Sequence, residues 1–105
     1  KIRERETHRY MAAAAITTKK GSSLIEAATH PYDQTARPQI VSKKFNSHFY
    51  NIIKSFGKLT GVYALLNTSL NLHGYPIVNN SEDLIFVLEN SELDGCILKN
   101  SIIFK

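Results

Sequence analysis

The sequence predicts an α/β domain, and three observations carry that prediction. First, the segment from Asn46 to Thr60 sets Phe49, Ile52, Ile53, Phe56 and Leu59 at helical spacing on one face. Second, Val62 to Leu66 is an unbroken apolar run, too short for a helix of its own and flanked by β-favouring residues, so it reads as a buried strand. Third, two short apolar segments, Cys96–Ile97–Leu98 and Ile102 to Phe104, flank Asn100–Ser101 and read as a strand, a turn and a last strand.

Taken in order, Lys1 to Arg9 is a dense charge run: a solvated helix face or, alternatively, a cationic arm. Tyr10 to Ile16 is small and apolar, and its alanines favour helix intrinsically, which opposes a strand there. Thr17 to Ser23 has loop composition, and Leu24 to His30 is ambiguous. Pro31 to Gln39 holds two prolines around a polar interior and reads as an ordered loop. Pro38 biases Arg37 towards an extended backbone, which pre-aims its side chain. Ile40 and Val41 suggest a short strand. Asn46 or Ser47 caps the helix that follows, and Gly61 suits its C′ position. After the Val62–Leu66 run the chain turns polar at Asn67, Thr68, Ser69 and Asn71, and Gly74–Tyr75–Pro76 turns it back. Asn80 to Asp83 is a capped, acidic first turn; Leu84, Ile85, Val87 and Leu88 form the apolar face behind it.

Composition bounds the function. At 105 residues this is one domain or part of one, and 43% hydrophobic with 21% charged residues fits a globular chain. No apolar run approaches the roughly 18 residues needed to span a bilayer. One cysteine, Cys96, precludes an internal disulfide and makes a reducing, cytoplasmic setting the default expectation. The first residue is Lys1, so the chain reads as a fragment or a processed product. A net charge of +4 suits anionic partners such as phosphates, nucleotides or RNA, and equally suits ordinary solubility.

Few residues carry readable chemistry. His8, His30, His48 and His73 stand far apart, so no pair has metal-ligand spacing, and no metal site is expected. No glycine-rich loop ends in Lys-Ser/Thr. What remains is Arg37 in a constrained loop and the polar cluster Asn67, Ser69 and Asn71 after a strand. In open sheets that is where ligands sit, and the set suits orienting a phosphate-bearing substrate. Each has a plainer reading. Arg37 can form a surface ion pair, for instance with Asp33. The polar cluster can satisfy its own turn. His30 and His73 read first as loop or core histidines, and Cys96 as a small core residue.

Two blocks resemble a known family. Thr29–His30–Pro31–Tyr32–Asp33–Gln34–Thr35–Ala36–Arg37–Pro38–Gln39, followed by Leu66–Asn67–Thr68–Ser69–Leu70–Asn71–Leu72–His73–Gly74–Tyr75–Pro76–Ile77–Val78, resembles the C-terminal domain of the O-carbamoyltransferases of nodulation-factor and antibiotic biosynthesis. Lys1–Ile2–Arg3 with Arg5–Glu6 and Arg9 is similar to the basic block that opens the same region. The resemblance implies a partial YrdC-like twisted sheet with two or more packed helices over residues 1–105. It implies ATP and carbamoyl phosphate as partners and a carbamoyl-adenylate as product, with Mg2+ as a candidate companion of ATP. The carbamoyl group is then moved to a substrate hydroxyl by a separate, larger N-terminal domain that carries the family's metal site. Lys1, Arg5, Arg9 and Arg37 would contact phosphates or the carbamoyl group. Ser69 and Asn71, with Asn67, would handle the adenylate. Arg37 and His30 are the catalytic candidates. Leu70 stands where the family usually has Phe, Tyr75 where an acidic residue is common, Met11 to Ala14 replaces Phe-Ala-Pro-Ser, and Thr17 to Ala28 looks shortened. A separate N-terminal domain or a homo-oligomer would complete such a chain, and a non-catalytic basic module that binds RNA or a partner chain is the alternative.

Overall fold

In a computed structural model, residues 10–105 are described. They carry three α-helices, one short 3-10 turn and four strands, so the chain is mixed α/β. It divides into two compact units, one ending at Leu66 and one spanning Asn67–Lys105.

In the first unit, β1 (Ala15–Ile16) pairs antiparallel with β2 (Thr35–Ala36), with Ala15 opposite Ala36 and Ile16 opposite Thr35. Between them lie α1 (Lys19–Leu24) and a 3-10 turn at Glu26–Ala28. The segment expected as loop thus begins a helix, because Thr18 accepts the Gly21 N–H at 3.0 Å and caps it. The expected strand at Ile40–Val41 is absent; the ladder sits five residues earlier, at Thr35–Ala36, where a partner strand is available.

The helix α2 (Ser47–Thr60) has the expected bounds. Asn46 accepts the Phe49 N–H at 2.9 Å, and Gly61 ends the helix at φ 80° while its N–H reaches the Gly57 carbonyl. Its stripe is only partly covered. Ile52 and Ile53 are half-buried, whereas Leu59 is 87% exposed. The buried position of this helix is Gly57, where the Tyr63 ring lies so close that a Cβ would overlap it. Val62 to Leu66 forms no ladder, and Leu66 is exposed. The buried strand expected here is corrected: among the described residues no strand pairs with it, and a strand is completed only by a neighbour's hydrogen bonds.

In the second unit, α3 (Ser81–Glu89) is capped by Asn80, which accepts the Asp83 N–H at 2.8 Å. Leu84, Val87 and Leu88 are its buried face, at i, i+3 and i+4. Ile85 was expected among them but is exposed, being one residue off that stripe. β3 (Gly95–Leu98) and β4 (Ser101–Phe104) form the expected hairpin, with Ile97 opposite Ile102 and Cys96 opposite Ile103. The two-residue turn places Lys99 at φ 53°. The end of β4 is tied to α3, since Lys105 Nζ donates to the carbonyls of Ser91 at 2.8 Å and Glu89 at 3.3 Å.

Candidate functional site

The most heavily bonded surface feature of the first unit is the turn that delivers the chain from His30 into β2. His30 N–H donates to the Thr35 carbonyl at 2.7 Å, and Gln34 N–H to the His30 carbonyl at 3.0 Å. Gln34 sits at φ 56°, in the left-handed region a non-glycine residue adopts only at a cost. Asp33 offsets that cost. Its Oδ1 accepts the Thr35 N–H at 3.0 Å and the Thr35 hydroxyl at 2.7 Å, and His30 Nδ1 lies 3.3 Å away. These hydrogen bonds hold the Asp33 carboxyl below its ordinary value of 3.8; the Thr35 hydroxyl is the largest cause, the Thr35 amide the next, and the His30 charge adds to them. A second clamp joins the far side: the Thr17 N–H and hydroxyl both donate to the Gln34 carbonyl, at 3.0 and 2.7 Å.

Arg37 follows β2 directly and is exposed, with Pro38 after it. Asp33 is taken up by Thr35 and His30, so the expected surface ion pair between Arg37 and Asp33 is not among its bonds. His30 is exposed and faces Asp33, which makes it a member of the turn in this conformation. Beside the turn, Ser22, Ser23, Glu26, Thr29, Pro31 and Gln34 line an open cleft of about 390 Å³. Its hydroxyls are spent on neighbouring carbonyls: Ser22 and Ser23 on Lys19, and Thr29 on Ile25. The charged group left in it is the Glu26 carboxylate, which repels an anionic ligand.

The second expected cluster lies in the other unit. The loop from Leu70 to Val78 is closed by the Val78 N–H on the Leu70 carbonyl at 3.0 Å, and Gly74 turns at φ 82°. Asn71 is half-buried, and its amide donates to the carbonyls of Tyr75 at 3.0 Å and Leu72 at 3.1 Å. The plainer reading of Asn71, a side chain that satisfies its own turn, therefore describes its Nδ2. Asn67 and Ser69 are exposed. Arg37 and His30 thus belong to one unit, and Asn67, Ser69 and Asn71 to the other. Lys1, Arg5 and Arg9 lie outside the described residues. Among the described residues no three of His, Cys, Asp and Glu are grouped to hold a metal ion, so they offer no dedicated carboxylate cage for Mg2+. No helix among them is long and apolar enough to cross a membrane.

Comparison with known proteins decides what this turn and loop belong to. The family model described as "Carbamoyltransferase C-terminus" matches residues 1–105. The chain belongs to this carbamoyltransferase C-terminal family. A protein of Methanocaldococcus jannaschii, MJ1058, is 35% identical over 91% of this chain and 16% of its own length. The nodulation protein NolNO of Sinorhizobium fredii is 40% identical over 79% of this chain and 12% of its own. The 3'-hydroxymethylcephem-O-carbamoyltransferase of Amycolatopsis lactamdurans is 32% identical over 73% of this chain and 15% of its own. The chain therefore spans only 12% to 16% of these three relatives. The carbamoyltransferase C-terminal domain is thus the setting of both loops. The signal that sequence reasoning missed is Asp33, the residue that organises the turn; an Asp two positions after a proline and two before a Thr was the Asx-turn pattern to look for.

Proposed function

We propose that this chain is part of an O-carbamoyltransferase and contributes contacts to ATP and carbamoyl phosphate, from which a carbamoyl-adenylate is made for transfer to a substrate hydroxyl. In this reading residues 1–105 are the C-terminal portion of a YrdC-like domain, and a larger N-terminal domain carries out the transfer. The observation that carries the reading is the exposed arginine set directly after β2, whose leading turn is fixed by three side chains. A planar guanidinium offers paired donors to phosphate oxygens, and a rigid stem spares it part of the ordering cost of binding. Ser69 and Asn71 supply the neutral hydrogen bonds expected of an adenylate site. His30 stays the catalytic candidate beside Arg37: Asp33 faces its Nδ1, the contact that orients an imidazole whose Nε2 handles a proton.

The test is a calorimetric titration of ATP, with and without carbamoyl phosphate, into the chain and into Arg37→Ala. Binding that carbamoyl phosphate changes, and that Arg37→Ala weakens by about tenfold or more, supports a phosphate-contacting Arg37. Equal binding by both chains would remove Arg37 from the site. A salt-steep affinity for single-stranded RNA that ignores Arg37 would replace the reading with a basic binding module.

A further inference from the structure

The hairpin β3–β4 has two unlike faces. Alternation places Cys96, Leu98, Ser101 and Ile103 on one side and Gly95, Ile97, Ile102 and Phe104 on the other. The second side has no polar side chain. Ile97 and Ile102 form a direct cross-strand pair, 63% and 62% exposed, and Phe104 beside them is 75% exposed. Gly95 faces Phe104 across the ladder and keeps that end of the face flat; a Cβ there would run into the β4 backbone at Ile103.

We infer that this face is an intramolecular docking surface, covered by an apolar layer from the rest of the carbamoyltransferase polypeptide. Two arguments select that occupant over a second copy of this chain. At these exposures the three side chains present on the order of 300–400 Å² of apolar area, about half of the roughly 800 Å² per partner that a stable separate complex buries. A patch that small closes when its partner is tethered, because the tether supplies the local concentration that a free partner lacks. The relatives supply such a partner: the aligned region is 12% to 16% of their length, so most of each polypeptide lies outside it. The inference rests on family membership and on those lengths and does not depend on the adenylation reading, since its readout is independent of nucleotide.

The test compares the isolated chain with a full-length chimera in which this chain replaces the matching segment of NolNO. Both carry Cys96→Ser and Ile102→Cys, and maleimide labelling of the new thiol is measured relative to the same protein in urea. With the hairpin of the isolated chain first shown folded by protected amides along its ladder, the expected result is near-unfolded rates in the dilute isolated chain and labelling slowed by about tenfold or more in the chimera. Equal rates in the two would overturn the inference. So would slow labelling in the dilute isolated chain, which would mean that the chain's own residues cover the face. Slowing that grows with concentration of the isolated chain would assign the face to a second copy instead. A second variant, Ile97→Thr with Ile102→Thr, keeps β-branched side chains while removing apolar surface. It should lower the melting temperature of the chimera and leave that of the isolated chain unchanged while reducing its binding of an apolar dye. An unchanged dye signal, or equal melting shifts, would refute the exposed face.

Discussion

At the scale of single residues, Asp33 and Gly57 do the most with the least. The Asp33 carboxylate accepts two Thr35 donors and faces His30, and this lowers its pKa. A carboxyl whose folded pKa is depressed stabilises the fold fully above its unfolded value, and that contribution is lost as pH falls through the folded value. The Thr35 amide proton should therefore resonate downfield at neutral pH, hydrogen-bonded to the carboxylate, and move upfield on acidification. The midpoint should lie below 3.8, as read by proton NMR of the Thr35 amide. In Asp33→Asn the acid-dependent step should disappear. Gly57 has a different constraint. An alanine would gain helix propensity of up to about 1 kcal/mol, but its methyl enters the Tyr63 ring, and overpacking costs roughly 1–3 kcal/mol. Gly57→Ala should be destabilising in urea unfolding, and the loss should vanish when Tyr63→Ala removes the ring.

At the scale of elements, caps and turns decide the ends. Asn46 and Asn80 each accept an N–H three residues on, at 2.9 and 2.8 Å. Replacing either by alanine should cost about 1 kcal/mol, seen as a lower urea midpoint. In the hairpin, Lys99 holds φ 53° at a turn position where a side chain is a burden. Lys99→Gly should relieve about 1 kcal/mol of left-handed strain, less the entropy that glycine adds to the unfolded chain. The expected sign is a small gain in stability, measured by thermal melting. The same logic explains why the expected strand at Val62–Leu66 did not form. Its residues favour extended backbone, but a strand is completed only by a neighbour's hydrogen bonds. The hairpin succeeded because both of its strands lie within one stretch of ten residues, with a turn between them.

At the scale of the whole molecule, the described residues bury little. Leu84, Val87 and Leu88 are the apolar side chains below a tenth exposure, while aromatic and aliphatic residues from Tyr10 to Phe104 remain in contact with solvent. Each buried aliphatic side chain contributes roughly 1.5–3 kcal/mol, so these three offset little of the conformational entropy lost in ordering the described residues. The isolated chain should bind an apolar dye under native conditions and unfold at low urea with a shallow slope. A steep, highly cooperative transition without dye binding would contradict that picture.

The sequence by itself determined the elements whose causes are local. The helix from Ser47 to Thr60 with its Asn46 cap and Gly61 stop, the helix behind Asn80, and the last hairpin all follow from spacing and capping chemistry. Its two long blocks also pointed to the carbamoyltransferase family that the match over residues 1–105 establishes. Only the tertiary structure decided how those blocks are used. It pairs Thr35–Ala36 with Ala15–Ile16 and leaves Val62–Leu66 without a ladder. It commits Asp33 to the turn ahead of Arg37 and spends the Asn71 amide on its own loop. The physical reason is range. A cap or a turn is settled by atoms a few residues apart, whereas burial, strand pairing and the choice of hydrogen-bond partner depend on which distant segment arrives beside each residue.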